Sequence, residues 1–151
     1  MISHLRSKYT LSIRIFFNMN ILHVCNGFTT SKLYEELINR LDIPDVIQTV
    51  IAPTFVSYKR PESLNGGINL HVIERNSSFF HRLCFSQKIR KLTSVIENLG
   101  ASQYDLIHAH TLFSDGLVAY NIYRRYDIPY VVAVRNSDIN FFSSFLFTNV
   151  L

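Results

Sequence analysis

The sequence is short of several features, and each shortage excludes a class of protein. Only two cysteines are present, Cys25 and Cys84, which excludes a disulfide framework and favours a reducing compartment. No apolar run approaches the roughly 20 residues that a membrane-spanning helix needs. Charged residues make up 17% and apolar residues 48%, a balance typical of a globular chain. The net charge of +4 allows phosphate-bearing ligands or an anionic membrane as partners but does not require nucleic acid.

The 151 residues suffice for one domain with a hydrophobic core, and composition sets off a segment at each end. Residues 1–18 carry basic residues and no acidic one, and we predict a weakly structured leader or extension, with the domain starting at Met19. Residues 19–140 form the predicted domain. Residues 141–151 carry no charge, and we predict that they are an apolar tail left by truncation.

Hydrophobic periodicity in residues 19–140 predicts the order β-α-β-β-α-β-α-β. Apolar side chains spaced for one helix face occur at Leu33, Leu37, Ile38 and Leu41. The predicted strands are Asn20–Cys25, Val46–Ala52, Ile68–Ile73, Tyr104–His110 and Tyr130–Val134. Three helices are predicted: the first begins after residues 29–31, the second runs from about Phe79 to Leu99, and the third runs from Gly116 to Tyr126. This order predicts a single Rossmann-like α/β domain, with a mainly parallel open sheet of about five strands and helices on both faces.

The candidate site lies in the stretch YDLIHAHTLFSDGLVAYNIYRRYDIPYVVAVRNSD, residues 104–138. One predicted strand ends on His110, and the next ends just before Arg135. Parallel sheets bind ligands beyond the carboxyl ends of their strands, so we predict that both side chains face a ligand crevice. An arginine there can hold a phosphate or carboxylate by two hydrogen bonds. The alternatives for Arg135 are a solvated strand end or a pair with Asp138.

A second candidate is the turn around Gly27, between the first strand and the first helix. A glycine there lets the backbone approach a ligand, and a helix N-terminus attracts anions. The turn is not G-x-G-x-x-G, and no acidic residue stands at the ribose position, so a dinucleotide site is disfavoured. The alternative is an ordinary strand–helix turn.

His108 and His110 form an H-x-H pair on one strand. Their side chains share a face and lie roughly 6–7 Å apart along the strand. No third ligand stands at a characteristic spacing, so we predict no metal and assign His108 to the core. A metal-dependent hydrolase using the pair is a weaker alternative. No Ser-His-Asp or Cys-His nucleophile system is evident.

Basic residues are frequent around the long predicted helix and are typical of a solvated helix face. The alternative is docking to an anionic membrane, assisted by Phe79 and Phe80. The basic set is Arg75, Arg82, Lys88, Arg90 and Lys91.

The segments DLIHAHTLFSDGLVAY and IPYVVAVRNSD, with MNILHVCNGF as an opening strand and turn, resemble the N-terminal domain of family 4 glycosyltransferases of the GT-B architecture. The resemblance implies retaining transfer from a nucleotide-diphosphate sugar without a metal or other cofactor. It also implies that this domain forms the acceptor side of the cleft, lined by Gly27, His110, Arg135, Ser137 and Asp138, with His110 as the catalytic candidate. Arg135 stands where that family usually has histidine.

The second domain of that family, with its E-x-x-x-x-x-x-x-E glutamate pair, has no counterpart here. We therefore predict the truncated acceptor-side half of such an enzyme, inactive alone, in polysaccharide biosynthesis. The implied partners are a sugar or lipid-linked acceptor and a missing C-terminal domain or partner chain. The expected location is the cytoplasm, with peripheral contact at the inner face of the membrane. The alternative is a stand-alone Rossmann-like ligand-binding or interaction module without catalysis.

Overall fold

The protein is represented by a computed structural model that describes residues 18–54, 57–74, 85–135 and 138. The described chain alternates strands and helices in the predicted order. The strands are β1 (Met19–Val24), β2 (Val46–Thr54), β3 (Asn69–Glu74), β4 (Leu106–Ala109) and β5 (Tyr130–Val132); the helices are α1 (Lys32–Arg40), α2 (Phe85–Asn98) and α3 (Ser114–Tyr126), with a 3₁₀ turn at Ala101–Gln103.

These strands form one five-stranded sheet in the order β3-β2-β1-β4-β5, and every neighbouring pair is parallel. The chain builds outward from β1 to β3 and then returns to lay β4 on the other side of β1. The strand order therefore reverses between β1 and β4, which is where open α/β sheets form their ligand crevice. The predicted Rossmann-like α/β fold is confirmed.

Helices cover both faces of the sheet, because alternate residues of each strand point to opposite sides. On one face α2 and α3 pack against β1, with Leu22, Val24, Leu92 and Ile122 fully or almost fully buried. On the other face α1 contributes Ile38 to a smaller cluster. Two helices cover the first face and one helix covers the second. The smaller cluster, under α1, lies beside the predicted site.

The buried face of α1 differs from the predicted one. Leu33 is 57% exposed and Leu41 is 38% exposed, whereas Tyr34 and Ile38 are buried. The sheet therefore meets a helix face that begins one residue later than the leucine spacing indicated. This turn of the helix places an aromatic ring at the carboxyl edge of the sheet.

β2 is longer than predicted and continues through Pro53 to Thr54. A proline lacks the N–H that a central strand needs, which is why the prediction ended at Ala52. The carbonyl of Ile51 accepts from the Cys25 N–H at 3.1 Å, so the backbone of Ile51 points toward β1. The backbone of Pro53, two residues later in the same strand, points to the same side. β1 has already ended at Val24, so no ladder bond is lost there.

Helix ends follow from local chemistry. Gly100, just beyond α2, has φ +87°, a left-handed conformation that favours glycine and is common just after a helix. Asp127 ends α3 in the left-handed region, with φ +56°, and its N–H donates to the Tyr123 carbonyl. α3 begins at Ser114, two residues before the predicted Gly116.

Several predictions lie outside the described residues: the leader up to residue 17, the tail from residue 141, the start of α2 at Phe79, and the role of Phe80 in membrane docking. In α2, Arg90 and Lys91 are exposed, as expected for a solvated face. No helix in the described ranges combines the length and apolar character needed to cross a bilayer.

Candidate functional site at the carboxyl edge of the sheet

Three histidines lie on one face of the sheet, at the point where the strand order reverses. His23 in β1 and His108 in β4 are directly opposed in register. His110 follows β4 and shares the face of His108, because residues two apart on an extended strand point the same way. The face is the one covered by α1. We call His23, His108 and His110 the histidine cluster.

The rings of the histidine cluster are in contact. His23 Nδ1 lies 3.1 Å from His110 Nε2, a hydrogen bond whose donor depends on the tautomer. The His108 and His110 rings stack with centroids 4.1 Å apart, and the His23 centroid lies 5.3 Å from each of them. One ring nitrogen from each histidine lies within 4.8 Å of the other two. Such spacing is within reach of a shared metal ion.

Burial keeps the cluster uncharged. It lowers the pKa of His23 to about 4, with further lowering from His108 and a smaller opposing effect of the Gln48 side chain. It lowers the pKa of His110 to about 2, assisted by His108, His23 and Arg135. The pKa of His108 is also lowered, by burial and then by Arg135. At neutral pH all three imidazoles are therefore neutral, the form that donates a lone pair.

The accessibility of His108 and His110 is the reverse of the prediction. His110 is fully buried, whereas His108, assigned to the core, is partly exposed. The Tyr34 ring packs edge-on against His110 with centroids 5.5 Å apart. His108 instead pairs in register with Val131 of β5, which is 49% exposed. His108 is therefore the more accessible of the two histidines, and the predicted binding role of His110 remains a prediction.

Arg135 follows β5 and extends over Tyr34, with the guanidinium carbon 4.5 Å from the ring centroid. Within the described part of the chain, no carboxylate lies within ion-pair distance of this guanidinium. The predicted alternative, a side-chain pair with Asp138, is not formed. The Asp138 carboxylate accepts from the backbone N–H of Arg135 at 3.0 Å and of Leu112 at 3.3 Å. Asp138 thus fixes the backbone beside β5, and its carboxylate does not pair with the guanidinium of Arg135.

The turn after β1 is tied to the start of α3 by Asp115. The Asn26 N–H donates to Asp115 Oδ2 at 3.3 Å, and the Asn26 side-chain amide donates to both Asp115 and Ser114. Asp115 is fully buried. Burial raises its pKa to about 6, and the hydrogen bonds from Asn26 act in the opposite direction. The buried carboxylate therefore acts as a bridge between two loops of the site.

Gly27 is required by packing rather than by backbone conformation. A Cβ at this position would lie 2.3 Å from Cε2 and 2.9 Å from Oη of Tyr34. Gly27 is not among the described residues with positive φ. The space beside Gly27, where we predicted that a ligand could approach the backbone, is occupied by the Tyr34 ring.

The structure brings together four of the five predicted site residues. Gly27, His110 and Arg135 all contact or face Tyr34, and Asp138 is bonded to the backbone of Arg135. The fifth, Ser137, lies outside the described residues.

Sequence reasoning missed His23 and Tyr34. The signal for His23 was present, because ILHVC in β1 and LIHAH in β4 place a histidine at the same strand position. A Rossmann-like order sets those two strands side by side.

Comparison with known proteins identifies no family for this chain. No protein-family model matches the chain, and no curated protein matches it. Among solved structures, the chain is similar to the C-terminal domain of a hydrogenase from Pyrococcus furiosus. The two share 16% identity, the alignment covers 78% of this chain and 89% of that one, and the TM-score is 0.48.

These findings correct the family assignment made from the sequence. The prediction of a truncated family 4 glycosyltransferase domain is wrong, because no model of such a family matches the chain and no comparison supports such an enzyme. The residues that carried the resemblance, around His110 and Arg135, form a parallel strand–helix–strand unit. Such a unit recurs in α/β folds with unrelated functions.

Proposed function

We propose that this protein is a Rossmann-like binding module that takes a small anionic ligand, a phosphate or a carboxylate, beyond the carboxyl ends of β1, β4 and β5. The observation that carries the proposal is the guanidinium of Arg135. It lies over Tyr34 at the edge of the sheet where α/β folds bind ligands, and no carboxylate in the described ranges neutralises it.

The contact with Tyr34 prepares Arg135 for this role. Stacking on an aromatic face restricts the guanidinium and leaves its N–H donors directed away from the ring. A planar fork held in this way suits a phosphate or carboxylate, which it can bind by two parallel hydrogen bonds. Each hydrogen bond to a charged group contributes about 1.5–3 kcal/mol.

The carboxylates near Arg135 are engaged by other groups, and Asp115 is fully buried and hydrogen-bonded to Asn26 and Ser114. The histidine cluster is neutral, so it adds no repulsion. The Asp138 carboxylate, the nearest acidic group on the same loop, is 6% exposed and is occupied by two backbone N–H groups. Arg135 is therefore the group that sets the local potential for a ligand entering past His108.

The test is a binding titration of the full chain by calorimetry or NMR. The probes are inorganic phosphate, phosphate monoesters, nucleotide diphosphates, nucleotide-diphosphate sugars and small carboxylates. Arg135→Gln should weaken binding of the preferred anion by about tenfold or more, the loss expected for one charge-assisted hydrogen bond.

Arg124→Gln is the matched control. Arg124 also lies over an aromatic ring, with its guanidinium carbon 6.0 Å from the Tyr120 centroid, but on the exposed side of α3. Its loss should leave anion affinity unchanged. Equal weakening by both substitutions, or no saturable binding of any probe by the wild-type chain, contradicts the proposal.

Sugar transfer, the reaction predicted from the sequence, is the second candidate. It does not depend on the family assignment and rests on the position of Arg135 and Asp138 at the carboxyl edge of the sheet. We propose that the crevice binds the acceptor, a sugar or a lipid-linked sugar, to which another domain or chain transfers a sugar from a nucleotide-diphosphate donor. This chain does not transfer the sugar alone. Incubation with sugar nucleotides and mixed acceptors tests it. Saturable acceptor binding without turnover supports the proposal, and turnover well above background contradicts it.

A further inference from the structure

We propose that His23, His108 and His110 bind a divalent transition-metal ion, zinc foremost, through one imidazole nitrogen each. This goes beyond the proposed anion site and does not depend on it. The H-x-H pair of β4 lacked a third ligand in the sequence, and the neighbouring strand β1 supplies it.

The spacing of the nitrogens fits an ion between them. Zinc–nitrogen bonds of about 2.0–2.1 Å at tetrahedral angles set two ligand nitrogens about 3.3 Å apart. His23 Nδ1 and His110 Nε2 are 3.1 Å apart. All three donor atoms lie within 4.8 Å of one another, and His108 is the partly exposed member.

The hydrogen bonding of the metal-free cluster is incomplete. His23 Nε2 and His110 Nδ1 are buried and have no hydrogen-bond partner among the described residues. A neutral imidazole carries one N–H, and only one of the two rings can donate across the 3.1 Å contact. If His23 donates, the proton of His110 lies on its buried Nδ1, which has no acceptor among the described residues; if His110 donates, the proton of His23 lies on Nε2, beside the Gln48 side chain.

A metal ion changes this arrangement. With the ion on His23 Nδ1 and His110 Nε2, both facing nitrogens become ligands, and each ring carries its proton on the outer nitrogen. The outer nitrogen of His110, Nδ1, has no acceptor among the described residues. His23 then carries its proton on Nε2, beside the Gln48 side chain, whose Oε1 is also buried and unpaired in the described structure. A carbonyl oxygen behind a ligating histidine is the usual second partner of such a ring.

Ligand chemistry narrows the ion. Three neutral imidazoles suit zinc, cobalt, nickel or copper rather than magnesium or calcium, which prefer oxygen. Three histidines would leave the fourth position of a tetrahedral zinc ion open to a further ligand. The nearby charge of Arg135 opposes the cation and favours an anionic or hydroxide fourth ligand.

The experiment is a Co²⁺ titration of the full chain after removal of metals with a chelator, followed by competition with Zn²⁺. Tetrahedral Co²⁺ with nitrogen ligands gives visible absorption bands. We expect saturation at one ion per chain, with the bands lost on addition of Zn²⁺. His108→Gln should weaken binding by at least about 10–100-fold, the range already seen when groups behind a ligand are changed.

His71→Gln is the matched control, because His71 lies on β3 of the same sheet and outside the cluster. Imidazole ¹⁵N shifts of the wild-type chain provide a second measurement that needs no variant. Zn²⁺ should move the resonances of His23, His108 and His110 and leave that of His71 in place. Binding that is absent, is lost equally in His71→Gln, or leaves the cluster resonances unmoved overturns the proposal.

Discussion

Replacing Gly27 with alanine tests how tightly the site is packed around Tyr34. The added Cβ would lie 2.3 Å from Cε2, 2.8 Å from Cζ and 2.9 Å from Oη of that ring. None of these distances is tolerated, so the ring must move. Its motion is restricted, since His110 packs against its edge and Arg135 lies over its face.

The expected loss follows from the cost of overpacking. One methyl group forced against a packed side chain destabilises by about 1–3 kcal/mol. Displacing the ring also removes the cation–π contact with Arg135, which contributes about 0.5–1 kcal/mol at a partly exposed site. We therefore expect Gly27→Ala to lower the free energy of unfolding by about 1.5–4 kcal/mol, with a decrease in Tm of about 2–4 °C for each kcal/mol in a chain of this length.

Urea unfolding followed by circular dichroism measures this loss, with Gly66→Ala as the control. A Cβ at Gly66 meets nothing within 4 Å, and Gly66 is not among the described glycines with positive φ. That substitution should be neutral or stabilise by about 0.4–1 kcal/mol.

A double-mutant cycle with Tyr34→Ala identifies the cause. If the ring is the obstacle, Gly27→Ala should cost almost nothing in the Tyr34→Ala background. The same loss with and without the ring would refute the steric reasoning.

Three further substitutions test the core, a buried carboxylate and a loop anchor. Leu92→Ala, in the stripe of α2 that faces the sheet, should destabilise by about 2–5 kcal/mol, whereas Ser94→Ala on the exposed side should change stability by less than about 0.5 kcal/mol in urea unfolding. Burial raises the Asp115 pKa from 3.8 to about 6, so the protonated carboxyl is favoured in the folded chain. Its contribution to the free energy of unfolding is therefore fully present below pH 3.8 and is lost as pH rises through 6. Relative to Asp115→Asn, the wild-type chain should lose about 3 kcal/mol between these limits, and a pH-independent difference would contradict the assignment. Asp138→Ala leaves two backbone N–H groups without their acceptor and should cost about 1–3 kcal/mol, with faster amide exchange at Arg135 as the local readout.

The fold was predictable because its signals are local. The apolar runs that became β1, β4 and β5, and the stripe containing Ile89, Leu92 and Ile96, can each be read from one short window of sequence. The exceptions are equally local in cause. Pro53 was taken as a strand end, although its missing N–H faces a position that β1 has already vacated.

The site was less predictable because it depends on pairing between distant strands. His23 and His110 are 87 residues apart and meet only because β1 lies beside β4. Tyr34 was missed for a different reason. The leucine spacing of α1 predicted that Leu33 faces the sheet. The buried face begins one residue later, so Leu33 is exposed and the Tyr34 ring is buried in the site.

The anion and metal proposals make opposite demands on Arg135, and this makes them separable. Its positive charge attracts an anion but repels a divalent ion in the neighbouring histidine cluster. Arg135→Gln should therefore weaken anion binding and tighten Co²⁺ binding, by about fivefold or more if the two sites couple as strongly as linked sites usually do. Linkage also requires that an anion at Arg135 raise metal affinity by the same factor as the metal raises anion affinity, which paired titrations measure directly. If Arg135→Gln weakens the binding of both ligands, the Arg135 charge does not act on the two affinities in opposite directions, and the Tyr34–Arg135 contact instead has a structural role that both sites share.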